Sequence, residues 1–326
     1  MPTKTVFVLG AGASIPYGFP SGSQLVAQII ESISPSFYRG GEEHFTKKPL
    51  ADLLINEFSL TDLINFRETL NASQTYSIDA FLNYRREFID IGKMAIVWHL
   101  LEAEHRALKG KKMKGDWYQF FWNQINSHKE DLYSFSFYTF NYDRSLEYFL
   151  RTSAANLYGY EGLDLNNYLA KIPINHLHGT LGNMNFGHKS SIVTAGELRN
   201  AADNIKIIFE VDEMTMFEQF QSEVRRCDNI VFLGFGFHPD NVKRIGFPRI
   251  RFFPKRKMPK IFSSAYGLKE VELYSKLIKH LHITYNVNFQ REVDEHIHDL
   301  VEVGSETDAN LEFLRKHFPF EELFVD

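Results

Sequence analysis

The sequence predicts an α/β fold: a Rossmann-like, doubly wound parallel sheet with a helical insert that forms a second lobe. Short apolar, β-branched runs alternate along the chain with segments of helical periodicity, which is typical of strands buried between helices. The first run, residues 5–9, ends in the glycine turn Gly10-Ala-Gly12, and a helical pattern follows at residues 21–33. Strand, glycine turn and helix together form the opening of a βαβ unit.

The later elements continue this alternation of strands and helices. Predicted strands lie at residues 5–9, 134–140, 173–177, 229–233, 260–263 and 282–285, and predicted helices at residues 21–33, 144–150, 216–226, 269–278 and 308–318. This alternation predicts a parallel sheet, because neighbouring parallel strands must be joined by a long crossover connection, usually a helix.

Residues 35–129 have a different pattern, with apolar side chains at spacings of three, four and seven and no strand signal. We therefore expect three parts. Residues 1–34 and 130–290 form the Rossmann-like domain, residues 35–129 form the helical insert lobe, and residues 291–326 form a C-terminal helical tail.

Composition excludes several classes of protein. The chain has 326 residues, a net charge of −5 and a single cysteine, Cys227. This charge gives no general attraction to nucleic acid, and one cysteine cannot form an intramolecular disulfide or a cysteine-rich zinc module. No run approaches the roughly 18 apolar residues of a membrane span. We expect a soluble, cytoplasmic protein that binds neither nucleic acid nor membrane.

The first candidate site is the turn that carries Gly10, Ala11, Gly12 and Ser14. Closely spaced glycines after a strand let the backbone approach a pyrophosphate, and the next helix supplies N–H donors. Ile15 stands at the third glycine position of the usual dinucleotide motif, which disfavours an ordinary dehydrogenase. The alternative is a tight turn that only packs helix on strand.

A second candidate lies at the end of a predicted parallel strand, where open α/β sheets bind ligands. The segment contains Thr139, Asn141 and Asp143. Asn141 can hold a ribose hydroxyl or a water, and Asp143 can accept a bond from a carboxamide. The alternative is that Asn141 or Asp143 only caps the following helix.

A third candidate is His176-Leu-His178-Gly179. Residues i and i+2 of a strand share a face, so the two histidines could hold a metal ion. Two further histidine pairs, 280/282 and 296/298, weaken that signal. A histidine at a strand end suits general-base catalysis, since its pKa lies near neutrality.

Two later segments are weaker candidates. Gly234 and Gly236 form a second glycine turn after a strand, and Asn241 follows. This turn could receive an adenosine ribose or phosphates, or be a turn only. Ser263, at the end of the next strand, opens a segment that could border an adenine.

Taken together, these segments resemble the sirtuin family, and more closely the sirtuin-like NAD hydrolases of bacterial antiphage defence. The resemblance covers about residues 5–285. It lies in the G-A-G-x-S turn followed by G-x-P, the T-x-N-x-D segment, the H-G pair and the late glycine turn. It implies that Asn141 and His178 are the catalytic pair, that Asp143 contacts nicotinamide, and that Gly10, Ala11, Gly12 and Ser14 line the dinucleotide.

Departures from the sirtuin pattern restrict the activities that this resemblance implies. Sirtuin deacylases carry four zinc-binding cysteines, and the acid and arginine that follow their G-x-P are missing here, where Pro20 precedes Ser21-Gly22. The resemblance implies cleavage of NAD, as a substrate and without zinc, to nicotinamide and ADP-ribose. A sensor of NAD or ADP-ribose, a deacylase or ADP-ribosyltransferase, and a metal-dependent hydrolase remain alternatives.

The resemblance also implies an effector of abortive infection that depletes NAD when triggered. Because a permanently active enzyme of this kind would poison its host, we expect gating by self-assembly or by a partner. The helical insert and the amphipathic residues 311–320 are candidate contacts of a homo-oligomer. A companion ATPase or a phage-derived activator remains open.

Overall fold

The chain forms an α/β structure around one parallel sheet. The computed structural model describes residues 3–33, 36–37, 43–44, 49–109, 116–126, 128–182, 194–207, 210, 215–239, 241–242, 259–269, 272 and 301–324. In chain order, the strands within these ranges are β1 (Thr5–Leu9), β2 (Ser36–Phe37), β3 (Glu43–His44), β4 (Phe135–Thr139), β5 (Ile174–His176), β6 (Asn229–Leu233), β7 (Lys260–Ser263) and β8 (Val301–Val303).

The six-stranded sheet has the order β5-β4-β1-β6-β7-β8, and every pairing in it is parallel. Counted along the chain this is the order 3-2-1-4-5-6 of a doubly wound Rossmann sheet, which confirms the predicted fold class. The strand order reverses between β1 and β6. Leu9 is level with Thr139 and with Leu233, so the turns after β1, β4 and β6 begin at the same sheet edge.

Within the described residues, helices follow β1, lie in the insert, connect β4 to β5 and β5 to β6, and follow β8. They are α1 (Gly22–Ser32), α2 (Pro49–Leu54), α3 (Leu60–Ala72), α4 (Ile78–Tyr84), α5 (Ile89–Lys109), α6 (Asp116–Asn126), α7 (Ser145–Tyr158), α8 (Gly162–Leu169), α9 (Ala195–Ala202), α10 (Thr215–Val224) and α11 (Asn310–His317). In the described ranges, no helix combines the length and apolar character that a membrane span needs.

Local sequence accounts for where several elements begin. Ser21 caps α1 through a reciprocal pair, in which its hydroxyl accepts from the Gln24 N–H and the Gln24 side chain accepts from the Ser21 N–H. Strands β1, β6 and β7 have the predicted bounds. The predicted helix at 269–278 and strand at 282–285 lie outside the described residues, apart from short pieces of the former.

Two predictions about the elements are wrong. Strand β8 lies in the segment predicted to be a helical tail, and the small β2–β3 ribbon lies in an insert predicted to be mostly helical, without strand signals. Both cases involve strands of two or three residues, which are too short to show a period-two pattern. Their pairing partners, not their own sequences, make them strands.

The insert packs on one face of the sheet and shares its core. Successive residues of β1 point to opposite faces, so Phe7 faces the insert while Val6 and Val8 face the other layer. The Phe7 ring lies edge-on to Phe121 of α6 and to Phe318 near the end of α11, with centroids 5.6 and 5.9 Å apart. The division of the chain into a domain, a lobe and a tail stays a prediction.

The two glycine turns, after β1 and after β6, are in direct backbone contact. The Gly10 N–H donates to the Leu233 carbonyl and the Gly12 N–H donates to the Gly234 carbonyl, both at 3.0 Å. Gly234 has a φ of +57°, and a Cβ there would lie 2.1 Å from the Ala13 nitrogen. No side chain fits between the turns, and the left-handed backbone also favours glycine.

We predict that Gly234→Ala destabilises the fold by about 3 kcal/mol or more, since backbone strain and a clash with fixed backbone add. Gly236→Ala is the matched control, because a Cβ at Gly236 meets nothing within 4 Å, and it should cost less than about 1 kcal/mol. Urea unfolding of both variants measures the difference. Equal stabilities would contradict the close approach of the two turns.

Candidate functional site

The turn after β1 is fixed by its own hydrogen bonds. The N–H groups of Ala13 and Ser14 donate to the carbonyls of Gly10 and Ala11, and those of Gly10 and Gly12 donate across to β6 and its turn. Ala11 is the exposed residue of this turn. The turn therefore offers a ligand close backbone approach, while four of its N–H groups already have partners within the protein.

Helix α6 of the insert supports the same turn from behind. The Trp117 indole N–H donates to the Ala13 carbonyl at 2.8 Å, and the Tyr118 backbone N–H donates to the Tyr17 hydroxyl at 2.8 Å. The rings of Tyr17 and Tyr118 stack with centroids 3.8 Å apart. The insert thus contributes to the shape of the candidate site as well as to the core.

Asn141 lies in the turn after β4 and reaches the first glycine turn. Its side-chain NH₂ donates to the Gly10 carbonyl at 2.9 Å and to the Ser14 hydroxyl at 3.1 Å. A carbonyl only accepts hydrogen bonds, so the NH₂ must face the turn. No described residue donates to the amide oxygen, which is the group that can accept a bond from a ligand or a water. Thr139 assists, since its hydroxyl accepts from the Asn141 N–H at 3.0 Å.

Asp143 lies beneath this contact and is buried. Its carboxylate accepts from the Ser14 hydroxyl at 2.8 Å, from the Ser145 N–H at 3.1 Å and from the Ser145 hydroxyl. Burial raises the pKa of Asp143, while these hydrogen bonds act against that rise. Asp143 therefore both holds Ser14 and caps the start of α7. A contact with nicotinamide stays a prediction.

The two histidines after β4 are in different environments. Strand β5 ends at His176, so His178 lies in the following turn instead of on the same strand face. The His178 ring is 3% exposed and lies against Phe140, with ring centroids 5.3 Å apart. Gly179 has a φ of +77°, and a Cβ there would lie 2.2 Å from the Asn204 carbonyl oxygen. This glycine fixes the turn that carries His178.

His176 instead binds two neighbours. Its Nδ1 lies 2.9 Å from the Asn141 carbonyl oxygen, and its Nε2 contacts the Glu147 carboxylate. Burial acts to lower its pKa, but Glu147 and the Asn141 carbonyl outweigh that effect and raise the pKa above its usual value. Within the described residues no group of three potential ligands could hold a metal ion. The histidine pairs 280/282 and 296/298 lie outside the described residues.

A buried ion pair links the insert to the turns that carry Asn141 and His178. The Arg144 guanidinium binds Glu104 of α5 through two hydrogen bonds of 3.1 and 2.7 Å, and it donates to the Gly182 carbonyl at 2.8 Å. Glu104 is fully buried. Removal of either partner would leave a charge without compensation, so this pair links α5 to the segments of Asn141 and His178.

A cavity of about 510 Å³ opens beside the glycine turns, at the carboxyl ends of β1, β6 and β7. Its described lining consists of Gly12, Ile15, Pro16, Asp116, Gly234, Phe235, Gly236, Ser264, Tyr266, Gly267, Leu268, Ala309 and Asn310. Gly12, Gly234 and Gly236 are the predicted residues among these. Asn241 is half-buried and not part of the lining. Ser263 is buried, and its hydroxyl bonds to the Ser264 carbonyl.

Ser264 lies in the segment after β7 that was predicted to border an adenine, whereas Asn310 was not predicted. Ser264 accepts a bond from the Gly234 N–H at 3.0 Å and donates to Asn310 at 3.2 Å, and Asn310 donates to the Gly12 carbonyl at 3.0 Å. Asn310 gave no signal, because its partners lie far away in the sequence.

Comparison with known protein families finds a similarity that covers part of this site. Residues 136–285 match the family model of the SIR2-like domain. The match includes the segments of Asn141, His178 and Gly234 and begins after the first glycine turn. No curated protein matches the chain significantly. This part of the chain is therefore similar to SIR2-like domains, a class that uses NAD, and it belongs to a Rossmann-like sheet.

We predict that Ser14→Ala and Ser145→Ala each cost about 1 kcal/mol of stability, since each removes a bond to buried Asp143. Only Ser14 also contacts Asn141, so only Ser14→Ala should weaken the binding of ADP-ribose, by about tenfold. Urea unfolding and calorimetric titration measure the two effects. Equal loss of affinity in both variants would contradict the role of Ser14.

Proposed function

We propose that this protein is an NAD glycohydrolase that cleaves the bond between nicotinamide and ribose. The observation that carries the proposal is Asn141, whose NH₂ is fixed on the first glycine turn and whose amide oxygen is left to accept a hydrogen bond. The amide follows β4 and binds the turn after β1, which borders the switch point between β1 and β6, where ligands bind in a Rossmann sheet. The SIR2-like match supports NAD as the ligand.

In this mechanism NAD lies across the carboxyl edge of the sheet. The cavity receives the adenosine part, bordered by Gly12, Gly234 and Gly236, with Ser264 and Asn310 on its far side. The first turn, with Ala11 exposed, approaches the phosphates. Asn241 and Ser263, predicted at the adenosine, are not part of the cavity wall.

The chemical step is a displacement at C1′ of the nicotinamide ribose. The bond from C1′ to the nicotinamide nitrogen breaks, its electron pair leaves with nicotinamide, and positive charge develops on the ribose. A water then adds to C1′ and gives a proton to His178. The product of this addition is ADP-ribose. The Asn141 amide oxygen accepts from a ribose hydroxyl or from this water. General-base assistance of this kind contributes roughly 10²–10⁴-fold to the rate.

The composition supports hydrolysis over lysine deacylation. A four-cysteine zinc module cannot form in a chain with one cysteine, and Cys227 is buried. The catalytic segments do not need such a module, because Asn141 and His178 are held by the sheet turns themselves. A protein that only senses NAD or ADP-ribose is the alternative, and it would bind without turnover.

We predict that Asn141→Ala and His178→Ala each reduce NAD cleavage by about 10²-fold or more while the protein stays folded. Asn56→Ala is the control, because Asn56 is exposed on the insert and bonds only locally. Nicotinamide release by purified protein is the measurement, with unfolding curves alongside. Wild-type rates in either variant would contradict the catalytic pair. Binding without cleavage by the wild type would favour the sensor, and label transfer to protein would favour a transferase.

We further propose that cleavage is gated and serves antiphage defence, as the resemblance implies. Buried His178 supports gating, because a general base must meet water to act. The insert supports it too, since Arg144 and Glu104 connect α5 with the catalytic turns. A homo-oligomer, a companion ATPase or a phage-derived activator could move these contacts. The apolar side chains of α11, by contrast, are already buried within the chain.

We predict that NAD cleavage per chain rises with protein concentration as copies assemble through the insert. Sedimentation and nicotinamide release over a hundredfold range of concentration measure the two quantities together. A monomer with full activity at every concentration would contradict gating by self-assembly. A monomer that stays inactive would direct the search to a partner.

A further inference from the structure

The hydrogen bonds of His176 have a consequence for catalysis that rests on the function proposed above. We propose that His176 is a positioning residue, which fixes the direction of the Asn141 amide by binding the Asn141 carbonyl while Glu147 holds its ring. His176 itself contacts neither the first glycine turn nor the cavity among the described residues. It acts through Asn141.

Asn141 is held at three points. Its N–H is bound by the Thr139 hydroxyl, its side-chain NH₂ by Gly10 and Ser14, and its carbonyl by His176. The first two contacts fix the backbone nitrogen and the amide. Among the described residues, only His176 binds the carbonyl of Asn141. Its loss would let the following peptide rotate and would weaken the hold of the other contacts on the direction of the amide oxygen.

In both contacts the His176 ring must be the hydrogen-bond donor. The Asn141 carbonyl and the ionised Glu147 carboxylate only accept hydrogen bonds, so both ring nitrogens must carry protons. The ring is buried, while Glu147 is partly exposed at the start of α7. Asp143, in the same turn as Asn141, is the other carboxylate that favours the charged ring. His178 lies two residues further along the chain, in the turn after β5.

This arrangement makes the positioning sensitive to alkali. A neutral imidazole carries one proton, so one of its nitrogens then turns a lone pair towards an acceptor oxygen. The turnover number should therefore fall at high pH, as His176 loses its second proton. Replacement of Glu147 by Gln removes this effect, because an amide N–H can donate to the neutral ring while Nδ1–H still donates to Asn141.

Two substitutions of the ring separate its two contacts. His176→Asn places an amide nitrogen near the position of Nδ1 and can keep the bond to Asn141. His176→Gln places its amide nearer to the position of Nε2 and keeps only the bond to Glu147. His99→Gln is the matched control. His99, in α5 of the insert, is also buried, and among the described residues its ring bonds to one side chain, Ser32 of α1.

The kinetic test compares nicotinamide release by these variants over pH 6–10. We expect His176→Gln to lower kcat by about 10- to 100-fold with KM within about threefold, as when an interaction felt in the transition state is lost. His176→Asn and Glu147→Gln should keep kcat within about fivefold of wild type, and Glu147→Gln should also lack the alkaline decline. Equal kcat in His176→Asn and His176→Gln, or an unchanged alkaline decline in Glu147→Gln, would overturn the proposal.

A second measurement does not depend on activity. Nitrogen NMR of the histidine rings, assigned by loss of a signal in His176→Asn, should show both His176 nitrogens protonated at neutral pH in wild type and one in Glu147→Gln. A neutral His176 ring in the wild type overturns the positioning role. If the ring is doubly protonated but the wild type does not cleave NAD, with or without assembly, then the proposed function fails.

Discussion

The close approach of two backbone turns is the constraint on which the site depends. The turns after β1 and β6 touch without side chains between them, through the pairs Gly10–Leu233 and Gly12–Gly234. Neighbouring parallel strands in register bring these turns to one level, and glycine lets them meet. The contact places the cavity wall and the carbonyl that orients Asn141 on a single rigid base, since Gly12 lines the cavity and Gly10 of the same turn accepts from Asn141.

From that base, a directed series of hydrogen bonds runs into the protein. Asn141 donates to Ser14, Ser14 donates to Asp143, and Ser145 donates to the other carboxylate oxygen. Acceptor-only groups at Gly10 and Asp143 determine the direction of every step. Such a network is already organised before a ligand arrives, which is the condition for strong electrostatic stabilisation of a developing charge.

Sequence patterns predict the parts of this structure that are local. The buried strands of four or five residues, the capped helix after the first turn and the order of the glycine turns follow from periodicity and turn chemistry. The long-range contacts do not, because the bond between Arg144 and Glu104 or between Asn310 and Gly12 depends on how elements pack. Asp143 shows the limit of prediction from sequence. The sequence identifies it as a polar group after a strand, but it does not predict that Asp143 is buried and binds Ser14 and Ser145.

The bond from Asn310 to Gly12 joins residues 298 positions apart. During synthesis the chain is made from its N-terminal end, so the first glycine turn is complete long before Asn310 leaves the ribosome. The wall that Ala309 and Asn310 give to the cavity can form only after residue 310 has emerged. A nascent or truncated fragment that ends before Asn310 therefore lacks this wall, although it already holds both glycine turns and the Asn141 turn.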